Sequence, residues 1–158
     1  MKKIEWSVLI ALVFTILFGS VTTFAAECSQ IREDVLRLHI LANSDSEEDQ
    51  ALKLKVRDRI LLEMGDVFET PETLEDAKTA ASKHLDEIRE IAQQEVYDNG
   101  YDYPVHAELV NMYFTTREYE TFTLPAGMYD AVRITIGDAE GKNWWCVLYP
   151  PLSFSGSG

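Results

Sequence analysis

Three histidines, His39, His84 and His106, are the first side chains in this sequence whose type could support chemistry, as zinc ligands or as general bases. No two of them have the i, i+4 spacing that places two imidazoles on one face of a helix, and no HExxH motif accompanies them. The sequence therefore predicts no metal site and no other cofactor.

Cys146 is a second candidate, as a nucleophile that a histidine would activate. It lies in the run from Trp144 to Tyr149, where a strand would be apolar on both faces, and burial there raises the pKa of a thiol. A disulfide with Cys28 stays open, because the sequence does not give the distance between the two residues. No GxSxG, P-loop or GxGxxG motif occurs.

Acidic residues cluster at Asp45, Glu47, Glu48 and Asp49, a composition that suggests calcium. A calcium-binding loop that began at Asp45 would place glutamine where glycine is needed and valine where a bidentate glutamate is needed. We therefore interpret these acids as the first turn of a helix, where negative charge stabilises the helix dipole.

The overall charge excludes some classes of partner. The chain has 158 residues, with 14 Lys+Arg against 27 Asp+Glu and a formal net charge of −13. Such a surface repels phosphate backbones and anionic membranes, so we predict no nucleic-acid partner. Apolar residues make up 46% of the chain, enough for the core of one domain.

The first 26 residues have the pattern of an export signal: Lys2 and Lys3, an apolar run from Trp6 to Phe18, then small residues up to Ala26. The alternative is an uncleaved membrane anchor, because residues 6–26 carry no charge. Either way, the two lysines keep the N-terminus in the cytoplasm, and we expect the rest of the chain to act outside it.

Periodic apolar residues predict two helices after this segment. The first is capped by Ser44 and runs to about Met64, where Gly65-Asp66 ends it. The second has Pro71 at its first position and continues for roughly 27 residues to Asn99-Gly100.

Strands are predicted at Val35–Leu41, Val105–Phe114, Met128–Ile136 and Asn143–Tyr149. This order favours the α+β class, with two helices packed on one face of a mostly antiparallel sheet. We expect a single domain over residues 35–154, followed by a tail at 155–158 whose composition is typical of a flexible linker.

Trp144 and Trp145 are adjacent in the last strand, so their side chains point to opposite faces. One of them must face away from the helices unless a second layer covers it. Exposed tryptophan is typical of protein interfaces, and this pair therefore indicates binding rather than catalysis.

Three stretches of this sequence resemble the stage II sporulation protein R family of endospore-forming bacteria. The first begins with LRLHILANSDS at residues 36–46 and continues to Arg57-Asp58, the second is PAGMYDA at 125–131, and the third is GKNWWCVLYPPL at 141–152. Their order and spacing match too, so the resemblance covers residues 35–152.

The resemblance implies an exported signalling protein that is not an enzyme. Members of the family are made in the forespore and exported into the space between the two sporulating compartments. There they are needed for a membrane-embedded aspartic protease of the mother cell, the stage II sporulation GA protein, to process the precursor of sigma factor E. No small-molecule substrate is implied, and the oligomeric state stays open.

The residues that match the family pattern are our candidates for contact with the partner. Some of them have an alternative role in the fold. Asn43 and Asp45, in the loop before the first helix, could cap that helix, and Arg57 could form an ion pair with Asp58. The full set is Asn43, Asp45, Asp49, Gln50, Arg57, Asn143, Trp144, Trp145 and Cys146.

One departure from the family pattern concerns cysteine. The family usually has a second cysteine shortly after the Pro-Pro pair, where this chain has Ser153. Cys146 is then either free or paired with Cys28. Two other functional classes stay open at this point: a secreted hydrolase that uses Cys146 or a histidine metal site, and a structural component of the spore envelope.

Overall fold

The apolar N-terminal segment forms helix α1, Lys2–Glu33, in the computed structural model. The structure describes residues 2–119 and 122–150, without the side chains of residues 27–31. The stretch Lys2–Ala26 has a mean hydropathy of 2.3, and none of it is buried against the rest of the protein. A helix of this length and composition can cross a bilayer, and signal sequences share both properties. The expectation of a signal or an anchor is consistent with this helix.

Four strands form the main sheet: β1 (Leu36–Leu41), β2 (Val105–Phe114), β5 (Gly127–Ile136) and β6 (Asn143–Tyr149). Their order across the sheet is β2-β5-β1-β6, so β2 and β6 are the edges. Strand β1 is parallel to β5, whereas the β2–β5 and β1–β6 pairs are antiparallel.

Two short strands, β3 (Arg117–Glu118) and β4 (Thr123–Leu124), pair as a separate hairpin between β2 and β5. Three helices cover one face of the main sheet: α2 (Glu47–Glu69), α3 (Leu74–Lys83) and α4 (Leu85–Asp98). The predicted α+β class is confirmed, with a mixed sheet in which two of the three strand pairings are antiparallel.

Helix α2 differs from the sequence prediction at both ends. Its N-cap is Ser46, whose hydroxyl accepts a hydrogen bond from the Asp49 N–H at 3.1 Å, and not Ser44. It continues through Gly65 to Glu69, because Phe68 is buried in the core one turn later. Burial of a phenylalanine gives about 1.5–3 kcal/mol, which outweighs the cost of about 1 kcal/mol of a glycine inside a helix.

The second predicted helix is broken into α3 and α4 at His84, where φ and ψ are −102° and 9°. It also begins later than Pro71, because Thr73 is the N-cap and accepts a hydrogen bond from the Asp76 N–H at 3.2 Å. The break redirects the chain, so that α3 packs on β1 and β2 while α4 packs against β2 and α2. The periodicity alone did not reveal this change of direction.

The two faces of the sheet support separate cores. The helix face buries Leu36, Leu38 and Ile40 of β1 among the aliphatic side chains of the three helices. On the opposite face, Phe114, Leu124, Tyr129 and other apolar residues form a smaller second core together with the β3–β4 hairpin. Arg37 and His39 of β1 point into this second core, where they are 0% and 3% exposed.

Candidate functional site

Trp144 lies on the helix face of β6, half-buried at the margin of the larger core. The guanidinium of Arg57 on α2 stacks on its ring, 4.2 Å from the ring centroid. Arg57 also forms an ion pair with Asp58, with 2.6 Å between Nη2 and Oδ1, as the sequence alternative anticipated. Strand β6 thus carries a tryptophan–arginine pair on its helix face.

Trp145 lies on the opposite face of β6, as the alternation of the strand predicted. Its ring packs against His39, with 4.7 Å between the centroids, and edge-on against Phe114 at 4.6 Å. The guanidinium of Arg117 on β3, an exposed residue, lies 5.3 Å from the Trp145 ring centroid. A second tryptophan–arginine pair therefore flanks the same strand on its other face.

Arg37 is fully buried beneath Trp145. Its guanidinium lies 4.3 Å from the Phe114 ring centroid and 5.0 Å from that of Tyr129, and Nη2 donates a hydrogen bond to the Tyr119 hydroxyl at 3.2 Å. Among the described residues, no acceptor reaches its Nε or Nη1 and no carboxylate pairs with it. Burial lowers the pKa of Arg37 from its ordinary value.

His39 neighbours Arg37 in space and is joined to β6 by a bond of 2.8 Å between its Nε2 and the Oδ1 of Asn143. Burial lowers the pKa of His39, and the charges of Arg133 and Arg37 lower it further, whereas the Asn143 bond acts in the opposite direction. His39 is thus buried in the second core in its neutral form.

Asn43 and Asp45 connect the loop before α2, through hydrogen bonds, to the loop between β5 and β6. The Asn43 amide accepts a hydrogen bond from the Asp138 N–H at 2.9 Å and donates one to Asp49 at 3.0 Å. Asp45 accepts from the Lys142 N–H at 2.8 Å. Gly137, at φ +58°, leaves no room for a Cβ beside Asn43. Both candidates therefore serve the fold at this junction.

Asp49 is a buried carboxylate at the start of α2. Burial would raise its pKa, but hydrogen bonds from Ser44, Asn43, Tyr103 and Ser46 outweigh that effect and lower the pKa below its usual range. The Ser44 hydroxyl donates to Asp49 at 2.6 Å. A carboxylate held in this way is an internal anchor of the loop and is not placed to contact a partner.

Lys53, which the sequence analysis did not select, is 4% exposed and links α2 to the start of β6. Its ammonium donates to the Gln50 side chain at 2.6 Å and to the Lys142 carbonyl at 3.0 Å. Burial lowers the pKa of Lys53, and the charges of Arg57 and Lys142 add to that effect while Asp45 opposes it. Positive charge is therefore concentrated around the first half of β6.

Cys146 is a free, buried thiol, and burial raises its pKa to about 11. Cys28, its proposed disulfide partner, belongs to the residues whose side chains are not described, and Ser153 lies outside the described range. Within the part of the chain that the structure covers, no group of three or more His, Cys, Asp or Glu side chains could hold a metal ion.

The structure brings the family-pattern residues together along one side of the molecule. Asn143, Trp144 and Trp145 occupy β6, and Arg57 stacks on Trp144. The segment that leads into α2 is hydrogen-bonded, through Asn43 and Asp45, to the loop before β6. Arg37, Arg117 and Lys53 were not among the candidates, and His39 was considered only as a metal ligand or general base. The alternation of apolar and polar residues in β1 predicts that Arg37 and His39 point away from the helices, but no sequence pattern indicated a second core on that side.

These features define an α+β domain that follows an apolar N-terminal helix, of the kind found in signal sequences and membrane anchors, and that has an aromatic strand at one edge of its sheet. The comparisons with known proteins give its family. The family profile described as Stage II sporulation protein R matches residues 32–157. The Stage II sporulation protein R of Bacillus subtilis (strain 168) is 38% identical over 124 residues, which are 78% of this chain and 55% of that protein. No solved structure matches the chain.

The chain therefore belongs to the stage II sporulation protein R family, and the resemblance found in the sequence is confirmed. It spans about half the length of the curated relative that it matches.

Proposed function

We propose that this protein is exported from the forespore and activates a membrane-embedded aspartic protease of the mother cell, so that the precursor of sigma factor E is processed. Membership of a sporulation family and an apolar N-terminal helix support the proposal. The function needs no catalytic step of its own, which agrees with a buried Cys146 thiol of raised pKa and a buried His39 of lowered pKa.

The observation that carries the proposal is the composition and position of β6. It is an edge strand with a tryptophan on each face, and both rings are only partly buried. Aromatic side chains with stacked arginines are the residue types that dominate protein–protein binding energy. A domain that served only as an envelope component would have no need of such a surface at a single edge.

Activation by direct contact requires only that the domain bind one state of the protease better than the other. Such differential binding shifts the population toward the active state, in proportion to the difference in affinity. Of the nine candidate contact residues, Asp49 and Cys146 are buried, and Asn43 and Asp45 hold the loop junction. The residues on β6 or stacked on it that are exposed or half-buried are proposed as the contact surface: Arg57, Asn143, Trp144 and Trp145.

The test is co-purification of the full chain with the protease in reconstituted vesicles, scored beside precursor cleavage in the same vesicles. We expect binding and cleavage with the unaltered chain, and loss of both in the Trp144→Glu/Trp145→Glu variant. The matched control is Tyr97→Glu/Leu62→Glu, which places two charges at exposed apolar positions on the helices. Cleavage that survives the tryptophan substitutions in a folded chain would contradict the role of β6, and a folded chain that neither binds nor stimulates cleavage would contradict direct activation.

A further inference from the structure

The two edges of the main sheet are protected very differently. Edge strands expose unpaired N–H and C=O groups, and proteins usually shield them with charges, prolines or neighbouring elements. A helix packs against each of the two edge strands, α4 against β2 and α2 against β6, so the difference lies in their side chains. Strand β2 has His106 and the Glu108–Arg133 ion pair along it. Strand β6 contains no charged residue and no proline from Asn143 to Tyr149. Among the described residues, β1 is its only strand partner.

The free side of β6 is also regular enough to receive another strand. Its register with β1 is unbroken from Asn143 to Val147, and the irregularity that follows lies at the end of the strand. A regular, uncharged edge of this length is the kind of template on which peptide segments add by main-chain hydrogen bonding.

Side chains of an added strand would meet the two tryptophan–arginine pairs in turn. Successive residues of a strand point to opposite faces, so one side chain would lie beside Trp144 and Arg57 and the next beside Trp145 and Arg117. Both positions offer a guanidinium, which binds carboxylates through paired hydrogen bonds.

The charges near β6 indicate the sign of the incoming segment. The chain has almost twice as many acidic as basic residues, yet four cations that flank β6 form no ion pair within the described residues. Two of them, Arg117 and Lys142, are exposed and can contact a partner, whereas Arg37 and Lys53 are buried beside the strand and contribute only to the local positive potential. Unpaired cations in an acidic protein are complementary to an acidic partner segment.

We propose that the β6 edge binds an extended, acidic segment of the partner protein as an additional strand, with its carboxylates beside Arg57 and Arg117. The identity of that partner rests on the proposed function, but the edge and its charge preference do not. A second copy of this chain fits less well, because two molecules of formal charge −13 repel each other.

A synthetic peptide tests the binding mode on the full chain in lipid nanodiscs. The probe is a fluorescently labelled eight-residue peptide with a central Glu-Glu pair between valine and threonine residues, so that the two glutamates point to opposite faces. One control peptide has Lys-Lys at the centre, and another is the Glu-Glu peptide N-methylated at every second residue, which removes main-chain donors. We expect both controls to bind at least about tenfold more weakly than the probe by fluorescence anisotropy.

Charge reversals locate the site. Arg117→Glu/Lys142→Glu should weaken binding of the Glu-Glu peptide by about tenfold or more, whereas the matched reversals Lys83→Glu/Arg89→Glu on the helices should not. Both double variants change the net charge equally, and their thermal melting shows that they are folded. The proposal is overturned if the folded chain binds no peptide, if N-methylation leaves the affinity unchanged, or if both double variants bind equally well.

The same variants separate this proposal from the proposed function. If Arg117→Glu/Lys142→Glu loses the peptide but still stimulates precursor cleavage, the edge binds acidic strands and the protease is not their source. If cleavage and peptide binding both withstand the reversals, the edge proposal fails while direct activation stands.

Discussion

The two faces of the sheet bury side chains of opposite character. The helix face holds a cluster of twenty buried residues, all apolar, contributed by three helices and four strands. The other face holds six buried apolar residues and, among them, Arg37 and His39. The charged residues buried on the helix side, Asp49 and Lys53, lie in the first two turns of α2 and have hydrogen-bond partners. The first face therefore supplies most of the hydrophobic stabilisation, which scales with buried apolar area.

The second face is where the described structure concentrates buried polar atoms without hydrogen-bond partners. Five of the six such atoms lie there: Nε and Nη1 of Arg37, Nδ1 of His39, Nε of Arg133 and Nε1 of Trp145. The sixth, Nε1 of Trp144, lies on the helix face. Such atoms cost free energy, so a protein retains them where they serve something other than stability. The comparison teaches that most of the hydrophobic stabilisation lies on the helix face, whereas most of the unpartnered buried polar atoms lie on the other face. Neighbouring residues of β1 allow this difference to be tested.

The largest effect is expected at Leu38, on the helix face. Leu38→Ala removes a fully buried side chain and leaves a cavity that the three packed helices can only partly fill. We expect the free energy of unfolding to fall by about 2–5 kcal/mol. Urea denaturation followed by circular dichroism measures it, and a loss below about 1 kcal/mol would contradict the assignment of stability to this face.

Arg37, adjacent in sequence and equally buried, should behave in the opposite way. Arg37→Met removes an uncompensated buried charge while keeping much of the side-chain volume, so we expect the variant to be at least as stable as the parent. The same denaturation experiment provides the measurement. A loss of several kcal/mol would show that the stacking of Arg37 on Phe114 and Tyr129 supports the fold.

A smaller effect is expected from His39, through pH. The pKa of His39 in the folded protein is lowered from 6.5. As the pH falls, His39 is therefore protonated in the unfolded chain at a higher pH than in the folded protein. The stability that the neutral imidazole provides is therefore complete above pH 6.5 and is lost as the pH falls toward the folded pKa.

His39→Gln keeps a hydrogen-bonding side chain beside Asn143 but does not titrate. Between pH 7.5 and pH 5.5, the melting temperature of the parent should fall further than that of this variant. His106→Gln, at an exposed histidine of β2, is the matched control for the loss of one imidazole. Parallel pH profiles for the parent and His39→Gln would contradict the burial of a neutral His39.

The smallest effect is expected at Arg57. Arg57→Ala removes the stacking on Trp144 and an ion pair with Asp58, which is 64% exposed and therefore contributes little. The expected cost is about 0.5–1 kcal/mol. A small cost in stability combined with a clear loss of partner activation would place Arg57 among the binding residues and separate it from the core.

Much of the fold followed from the sequence because its strands are strongly patterned. The alternation of apolar and polar residues predicted strands β1 and β5, and the ends of β2 and β6 were predicted to the residue. The opposite orientations of the Trp144 and Trp145 side chains followed from strand geometry. These features depend only on local periodicity, which the sequence contains in full.

The elements that were missed depend on contacts between distant residues. The break at His84 is set by the surfaces on which α3 and α4 pack, and Gly65 continues a helix because Phe68 has a place in the core. Likewise, Lys53 became part of the site only because the carbonyl of Lys142, 89 positions later, approaches its ammonium. No local pattern carries that information.

Only two residues separate the end of α1 at Glu33 from the start of β1 at Leu36. The helix continues from Ala26 to Glu33, which amounts to about 10 Å of rise beyond the apolar stretch. While α1 is retained in a membrane, this short connection holds the domain close to the bilayer surface. Cleavage near Ala25 would release the domain, so a single peptide bond determines whether it is tethered or free to diffuse.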